Sequence, residues 1–138
     1  AVLQKDPGQE HARVLLARTL LESHPDRVLE LVSGIEEDSK EFPMVDAIRT
    51  VAGLTEKLAG VHALPDSPVK QAYREGLQAL ARFDHEQALQ KLIGVIRSDR
   101  YYDDDGARKA CVAIFKMLGE DHEITRTYRR EFSSALYS

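Results

Sequence analysis

Apolar residues recur at three- and four-residue steps along most of the chain, a helical period, and the strict alternation of a half-buried strand hardly occurs. From Gln9 to Glu22, the positions Ala12, Leu15, Leu16, Thr19 and Leu20 follow that spacing and predict an amphipathic helix with those side chains inward. The preceding AVLQKDPG reads as the end of an earlier helix closed by a Pro-Gly break. Pro25 falls just inside a second helix, where its missing N–H is harmless. That helix is expected to turn Val28, Leu29 and Val32 inward and to stop near Gly34. The polar stretch EEDSKE leads to a longer helix from about Phe42 to Ala59, with Val45, Ile48, Val51, Ala52 and Leu58 as its apolar stripe. VHALPDSP is the clearest internal joint, because the residue before each proline is biased away from helix. It divides a single domain, 1–138, into subarrays of about 1–60 and 68–138.

Beyond the joint, Val69 to Arg82 and Asp84 to Ser98 predict two helices joined by almost nothing. Asp103, Asp104 or Asp105 is expected to cap the next helix, where a carboxylate satisfies free N–H groups and favours the dipole. That helix would bury Ala107, Ala110, Cys111, Ile114 and Leu118 and end at Gly119. A last helix covers about Asp121 to Leu136, with Ile124, Tyr128, Phe132 and Ala135 on one face. About seven helices joined by short turns predict an all-α solenoid or bundle.

The spacing of small residues separates these two architectures. Tetratricopeptide repeats are helix hairpins of about 34 residues whose small side chains sit where the helices cross closely. Counted from Val69, Gly76 and Ala88 occupy those small positions, and Leu92 a large apolar one. Phe83 departs from the pattern by standing where a turn glycine is usual, and Arg100 by replacing a closing proline. A weaker match runs from about Ala17 to Val28, with its turn one residue shorter. The expected fold is therefore all-α, with tetratricopeptide-like hairpins stacked as a short solenoid.

Composition narrows the function. The 138 residues are 43% apolar and 30% charged, ordinary for a globular protein. A formal charge of −4 argues against nucleic acid, whose binding depends on phosphate neutralisation by Lys and Arg. No apolar run is long enough to span a bilayer, so no membrane role is expected, and the single cysteine cannot form an internal disulfide. A cytoplasmic setting fits these features. Ala1 is not a natural start, and the chain reads as a fragment of a longer protein.

The run DRYYDDDGARKACVAIFKMLGEDHEITRTYRREFSSALY resembles the C-terminal end of the chaperedoxins, thioredoxin-domain co-chaperones of the YbbN type. Their pattern there is an aspartate pair before ARK, an apolar helix ending in LG, then YRR and a terminal apolar residue. Asp104, Asp105, Ala107, Arg108, Lys109, Leu118, Gly119, Tyr128, Arg129, Arg130 and Leu136 sit where that pattern places them. LPDSPVKQAYREGLQALARFDHEQAL matches as well, so the resemblance covers nearly the whole chain. The family's N-terminal thioredoxin domain and any CxxC motif are absent from it. The resemblance implies the repeat half of a folding factor, one that holds unfolded or oxidation-damaged client proteins and docks to a chaperonin. The alternative is a generic tetratricopeptide scaffold for a dedicated peptide or protein partner.

Candidate chemistry is sparse. Cys111 shares a helical face with Ala107, Ile114 and Leu118, which predicts a core residue rather than a reactive thiolate. Three consecutive acids before a helix fit capping better than the alternating ligands of a calcium loop. The histidines at 11, 24, 62, 85 and 122 lack HxxxH or HExxH spacing, and the glycines form no phosphate loop. No catalytic residue, metal or cofactor is expected. On the last helix, Arg126, Arg130 and Tyr137 fall opposite the apolar arc, at about 100° per residue. Arginine and tyrosine are enriched at interaction hot spots, which makes this stripe the candidate partner-binding face.

Overall fold

A computed structural model describes residues 7–21, 23–59 and 64–137. Among the described residues there are seven α-helices and no strand. They are α1 (Pro7–Leu20), α2 (Pro25–Val32), α3 (Phe42–Glu56), α4 (Lys70–Ala81), α5 (His85–Ser98), α6 (Tyr102–Leu118) and α7 (Glu123–Tyr137), and a 3₁₀ turn, Lys57–Ala59, extends α3. The helices pair as hairpins stacked side by side, a short helical solenoid. The pairs α1–α2 and α4–α5 are the tight hairpins; α3 lies across α6, and α7 rests chiefly on α5.

The first helix is rotated from its expected orientation. Val14, Ala17 and Leu21 are the buried residues, while Ala12, Leu15, Leu16 and Thr19 are exposed and Leu20 is half-buried. This segment is apolar at 12, 14, 15, 16, 17, 20 and 21, so periodicity alone admits more than one inward stripe. The stripe chosen puts the small Ala17 inward, letting the short α2 approach. On α2, Val28 and Val32 are buried as expected, but Leu29 points outward. The α2 carbonyls left free at its end are satisfied from both sides. Arg13 donates through Nε to Leu31 O at 2.7 Å and through Nη2 to Ser33 O at 2.6 Å, and Arg49 Nη2 reaches Val32 O at 3.2 Å. Pro7 lies in the first turn of α1 rather than in a break; a helix ahead of it lies outside the described residues.

The repeat half follows its sequence closely. Asp84 caps α5, its Oδ1 accepting from Gln87 N at 3.2 Å. Gly76 lies against Leu92: a Cβ at 76 would sit 2.8 Å from Leu92 Cδ2, so this crossing requires glycine's missing side chain. Ala88 is fully buried in the same hairpin. Phe83, in the glycine position of the turn, adopts glycine's backbone, with φ +59°. For a bulky residue that left-handed conformation costs on the order of 1–3 kcal/mol.

The aspartates lie inside the first turn of α6 rather than ahead of it and do not cap as expected. Tyr101 is the N-cap and supplies no side-chain bond. Asp103, Asp104 and Asp105 form a left-handed turn one step further on, with φ of +54°, +55° and +65°. Aspartate tolerates this region better than most residues, but the turn still costs roughly 1–2 kcal/mol per residue. Side-chain contacts hold it. Asp103 Oδ2 accepts from the Tyr73 hydroxyl and from Lys57 Nζ, each at 2.6 Å, which ties α6 to α4 and to the end of α3. Asp105 pairs with Arg108. Gly106 makes room for the Tyr73 ring, since a Cβ there would fall 2.0 Å from the hydroxyl. The Tyr102 hydroxyl donates to Pro65 O, fixing the described end of the internal joint.

Candidate partner-binding surfaces

The face of α7 that meets the body is firmly seated. Thr125, Tyr128, Phe132 and Ala135 are buried, and Ile124 and Leu136 are half-buried. Phe132 meets Phe115 edge-on at 5.4 Å between centroids, and Gln90 Nε2 on α5 donates to the Tyr128 hydroxyl at 2.8 Å. Arg129 pairs with Glu120 and lies 4.8 Å above the Phe115 ring. Arg100 Nη1 donates to Leu136 O at 3.0 Å, tying down the last turn. Arg129 is thus occupied in holding the helix.

Arg126, Arg130 and Tyr137 all project into solvent on the other side, and Tyr137 is 85% exposed. None of the three takes part in an ion pair among the described residues. The surface is not purely basic, because Asp121 and Glu123 share a shallow depression with Arg126 and Thr127.

Two grooves that the sequence did not suggest are lined jointly by the N-terminal helix pair, by α3 or α6, and by residues around the turn after α4. One, of about 460 Å³, is lined by Leu21, Leu29, Val51, Glu56, Leu80 and Phe83 among others. The other, of about 430 Å³, is lined by Leu15, Arg18, Phe83, His85 and Met117. Phe83 is common to both. Its ring, carried on a left-handed backbone, lies 5.9 Å from the His85 ring. Leu15 and Leu29, placed inward by periodicity, are instead 47% and 44% exposed at these grooves. The signal available in the sequence was Phe83 itself, a bulky residue in a glycine position.

The titratable groups report packing rather than reactivity. Burial pushes the Cys111 thiol far above its ordinary range; fully enclosed among Ala107, Ala110 and Ile114, it is a core residue. Tyr73 is likewise raised, first by burial and then by its bond to Asp103. His85 is lowered by burial and by the nearby His122 and Arg18, against an opposing pull from Asp84. Among the described residues no three His, Cys, Asp or Glu side chains converge as metal ligands, and His62 lies outside them. No helix among them is long and apolar enough to cross a membrane.

The sequence model of the tetratricopeptide repeat matches residues 52–137, well over half of the chain, from the end of α3 through α7. No curated protein and no solved structure matches the chain.

Proposed function

Because the chain belongs to the tetratricopeptide repeat family, whose members are typically non-catalytic protein-interaction modules, we propose that it is the protein-binding half of a thioredoxin-linked co-chaperone. In this reading it is part of a longer protein, works in the cytoplasm, holds unfolded or oxidation-damaged clients, and docks to a chaperonin through α7. No covalent step is involved; affinity comes from apolar burial and specificity from charge placement.

The observation that carries the docking role is the division of labour on α7. Its inner face and Arg129 are fully used in packing, while Arg126, Arg130 and Tyr137 remain exposed and outside every ion pair of the described residues. Their exposure supports reading them as surface open to a partner. The resemblance of 99–137 to the chaperedoxin end supports a chaperonin as that partner.

The test is the double variant Arg126→Glu, Arg130→Glu. Helicity and melting should stay near the parent values, since exposed charges rarely change stability by more than about 0.5 kcal/mol. Chaperonin capture should fall markedly and its remainder should become less salt-sensitive. Capture at equal strength by the variant and the parent would overturn the assignment of this face.

A further inference from the structure

The groove lined by Leu15, Arg18, Thr19, Phe83, His85 and Met117 differs from its neighbour in polarity. The other groove carries the carboxylate of Glu56, whereas this one has no Asp or Glu among its described lining residues. Two of its side chains hold polar capacity in reserve. Arg18 belongs to no ion pair among the described residues, and its guanidinium makes only a 3.4 Å contact with Met117 O. A guanidinium so lightly engaged keeps most of its five N–H donors for a ligand. His85 Nδ1 is buried with no hydrogen-bond partner among the described residues, although burial normally demands one. Thr19, by contrast, spends its hydroxyl proton on Leu15 O at 3.0 Å.

The basic groups converge on the same imidazole. Arg18 from α1 and His122 from the turn before α7 act on His85, opposed by Asp84 beside it in sequence. That aspartate is already engaged: its Oδ1 caps α5 by accepting from Gln87 N, and its Oδ2 lies 3.8 Å from Arg82. Burial first, then His122 and Arg18, hold the His85 pKa below its ordinary value, so at neutral pH the ring is uncharged. An anion placed beside it would reverse that balance and favour a proton on the ring. The rest of the lining is apolar, namely Leu15, the Phe83 ring and Met117. At about 430 Å³ the groove falls toward the lower end of the range for small-molecule sites.

We propose that this groove binds a small amphipathic carboxylate, a free molecule with one anionic head and an aliphatic body. The head accepts from the Arg18 guanidinium and from the His85 ring, which gives the orphaned Nδ1 its partner. The body lies against Leu15, Phe83 and Met117. Because the bound anion favours protonated His85, affinity rises as pH falls from the bound toward the free pKa of that ring. The site goes beyond polypeptide docking and does not depend on it, since Arg126, Arg130 and Tyr137 are not among its lining residues.

Octanoate, titrated into the parent chain by calorimetry, is the probe. It should bind at a single site, more tightly at about pH 6 than at about pH 8, with the His85 ring titration, followed by NMR, moved upward in its presence. Arg18→Gln should weaken binding about tenfold or more, because a charge-assisted contact is lost. Arg18 is exposed, so this variant should melt close to the parent. His85→Gln should keep most of the affinity at the higher pH and lose the pH dependence, which a merely structural histidine would not govern. Acetate, without the body, and 1-octanol, without the charge, should each bind at least about tenfold more weakly. Arg126→Glu, Arg130→Glu should leave octanoate affinity unchanged, so that chaperonin capture and acid binding are read separately. Equal octanoate affinity in the parent and Arg18→Gln would overturn the proposal, as would a His85 titration that octanoate does not move. An unstructured peptide ending in leucine that binds more tightly than octanoate, and loses that affinity in Arg18→Gln, would also overturn it by giving the groove to a polypeptide C-terminus.

Discussion

Every leucine, isoleucine and valine of α4 and α5 is buried, whereas α1 and α2 leave Leu15, Leu16 and Leu29 close to half exposed. Both pairs are antiparallel hairpins, so the difference lies in fit. Gly76 lets Leu92 lie directly on α4, and two helices of similar length cover one another. In the N-terminal pair, α1 has 14 residues and α2 has eight. Leu15 and Leu16 fall between the buried Val14 and Ala17, however, so it is the face they occupy and not the length of α1 that leaves them in solvent, as it leaves Leu29 on α2. The repeat hairpin therefore acts as the scaffold, and the shorter pair presents apolar surface beside it. On the proposed reading, rigidity and accessible apolar surface are divided between the two regions.

The largest test of this contrast targets the cross-brace of the repeat half. Gly106→Ala would place a Cβ 2.0 Å from the Tyr73 hydroxyl and drive that ring off Asp103. Overpacking and the loss of a buried hydrogen bond together should cost about 2–4 kcal/mol, read as a shift in urea midpoint. An unchanged midpoint would mean the left-handed Asp103–Asp105 turn is not held by Tyr73. Somewhat smaller is Ala88→Leu, which inserts three heavy atoms where no space is open in the α4–α5 hairpin and should cost about 1–3 kcal/mol. A thermal melt that does not move would remove the basis for treating this hairpin as the better-packed half.

The same contrast governs how much of the molecule was legible in its sequence. From α3 onward the stripes were nearly correct: Val45, Ile48, Val51, Ala107, Ala110, Cys111 and Phe132 are all buried. Each of those helices has one apolar arc wide enough to exclude another rotation. In α1 the apolar residues nearly encircle the helix, and tertiary contact with α2 selected Val14 and Ala17 over Leu15 and Leu16. The exposed α7 stripe followed from angular spacing alone. The two grooves did not, because they join residues from α1, α2, α3, α6 and the turn after α4 that no local pattern connects. The aspartate run failed for another reason. Capping is a local rule, and the carboxylate of Asp103 was claimed by Tyr73, 30 residues away.

A smaller effect is expected where the two regions touch. His85 faces Arg18 from α1, His122 from the turn before α7 and Asp84 from its own cap, and its folded pKa lies below the ordinary 6.5. The unfolded chain therefore binds this proton more readily than the folded one. Stability should rise with pH between the folded value and about 6.5, and should be lost as pH falls below 6.5. His85→Gln should flatten that part of the stability–pH curve by up to one proton. A curve identical in parent and variant would show that His85 is not strained by these neighbours.

The smallest expected change distinguishes the two regions most cleanly. Leu16 belongs to the inward face that periodicity suggested, yet it is 48% exposed and lines neither groove. If α1 carried that suggested face inward, Leu16→Gln would bury a polar amide and cost several kcal/mol. With α1 seated on Val14, Ala17 and Leu21, the amide stays in water and the loss should be within about 0.5 kcal/mol. Val28→Ala, on the buried face of α2, supplies the scale at about 1–3 kcal/mol for removing two enclosed methyl groups. Urea denaturation of the two variants beside the parent gives the answer directly. A Leu16→Gln loss equal to that of Val28→Ala would rotate α1 back toward the sequence-based stripe, take Leu15 out of its groove with it, and erase the contrast between the more exposed pair and the scaffold.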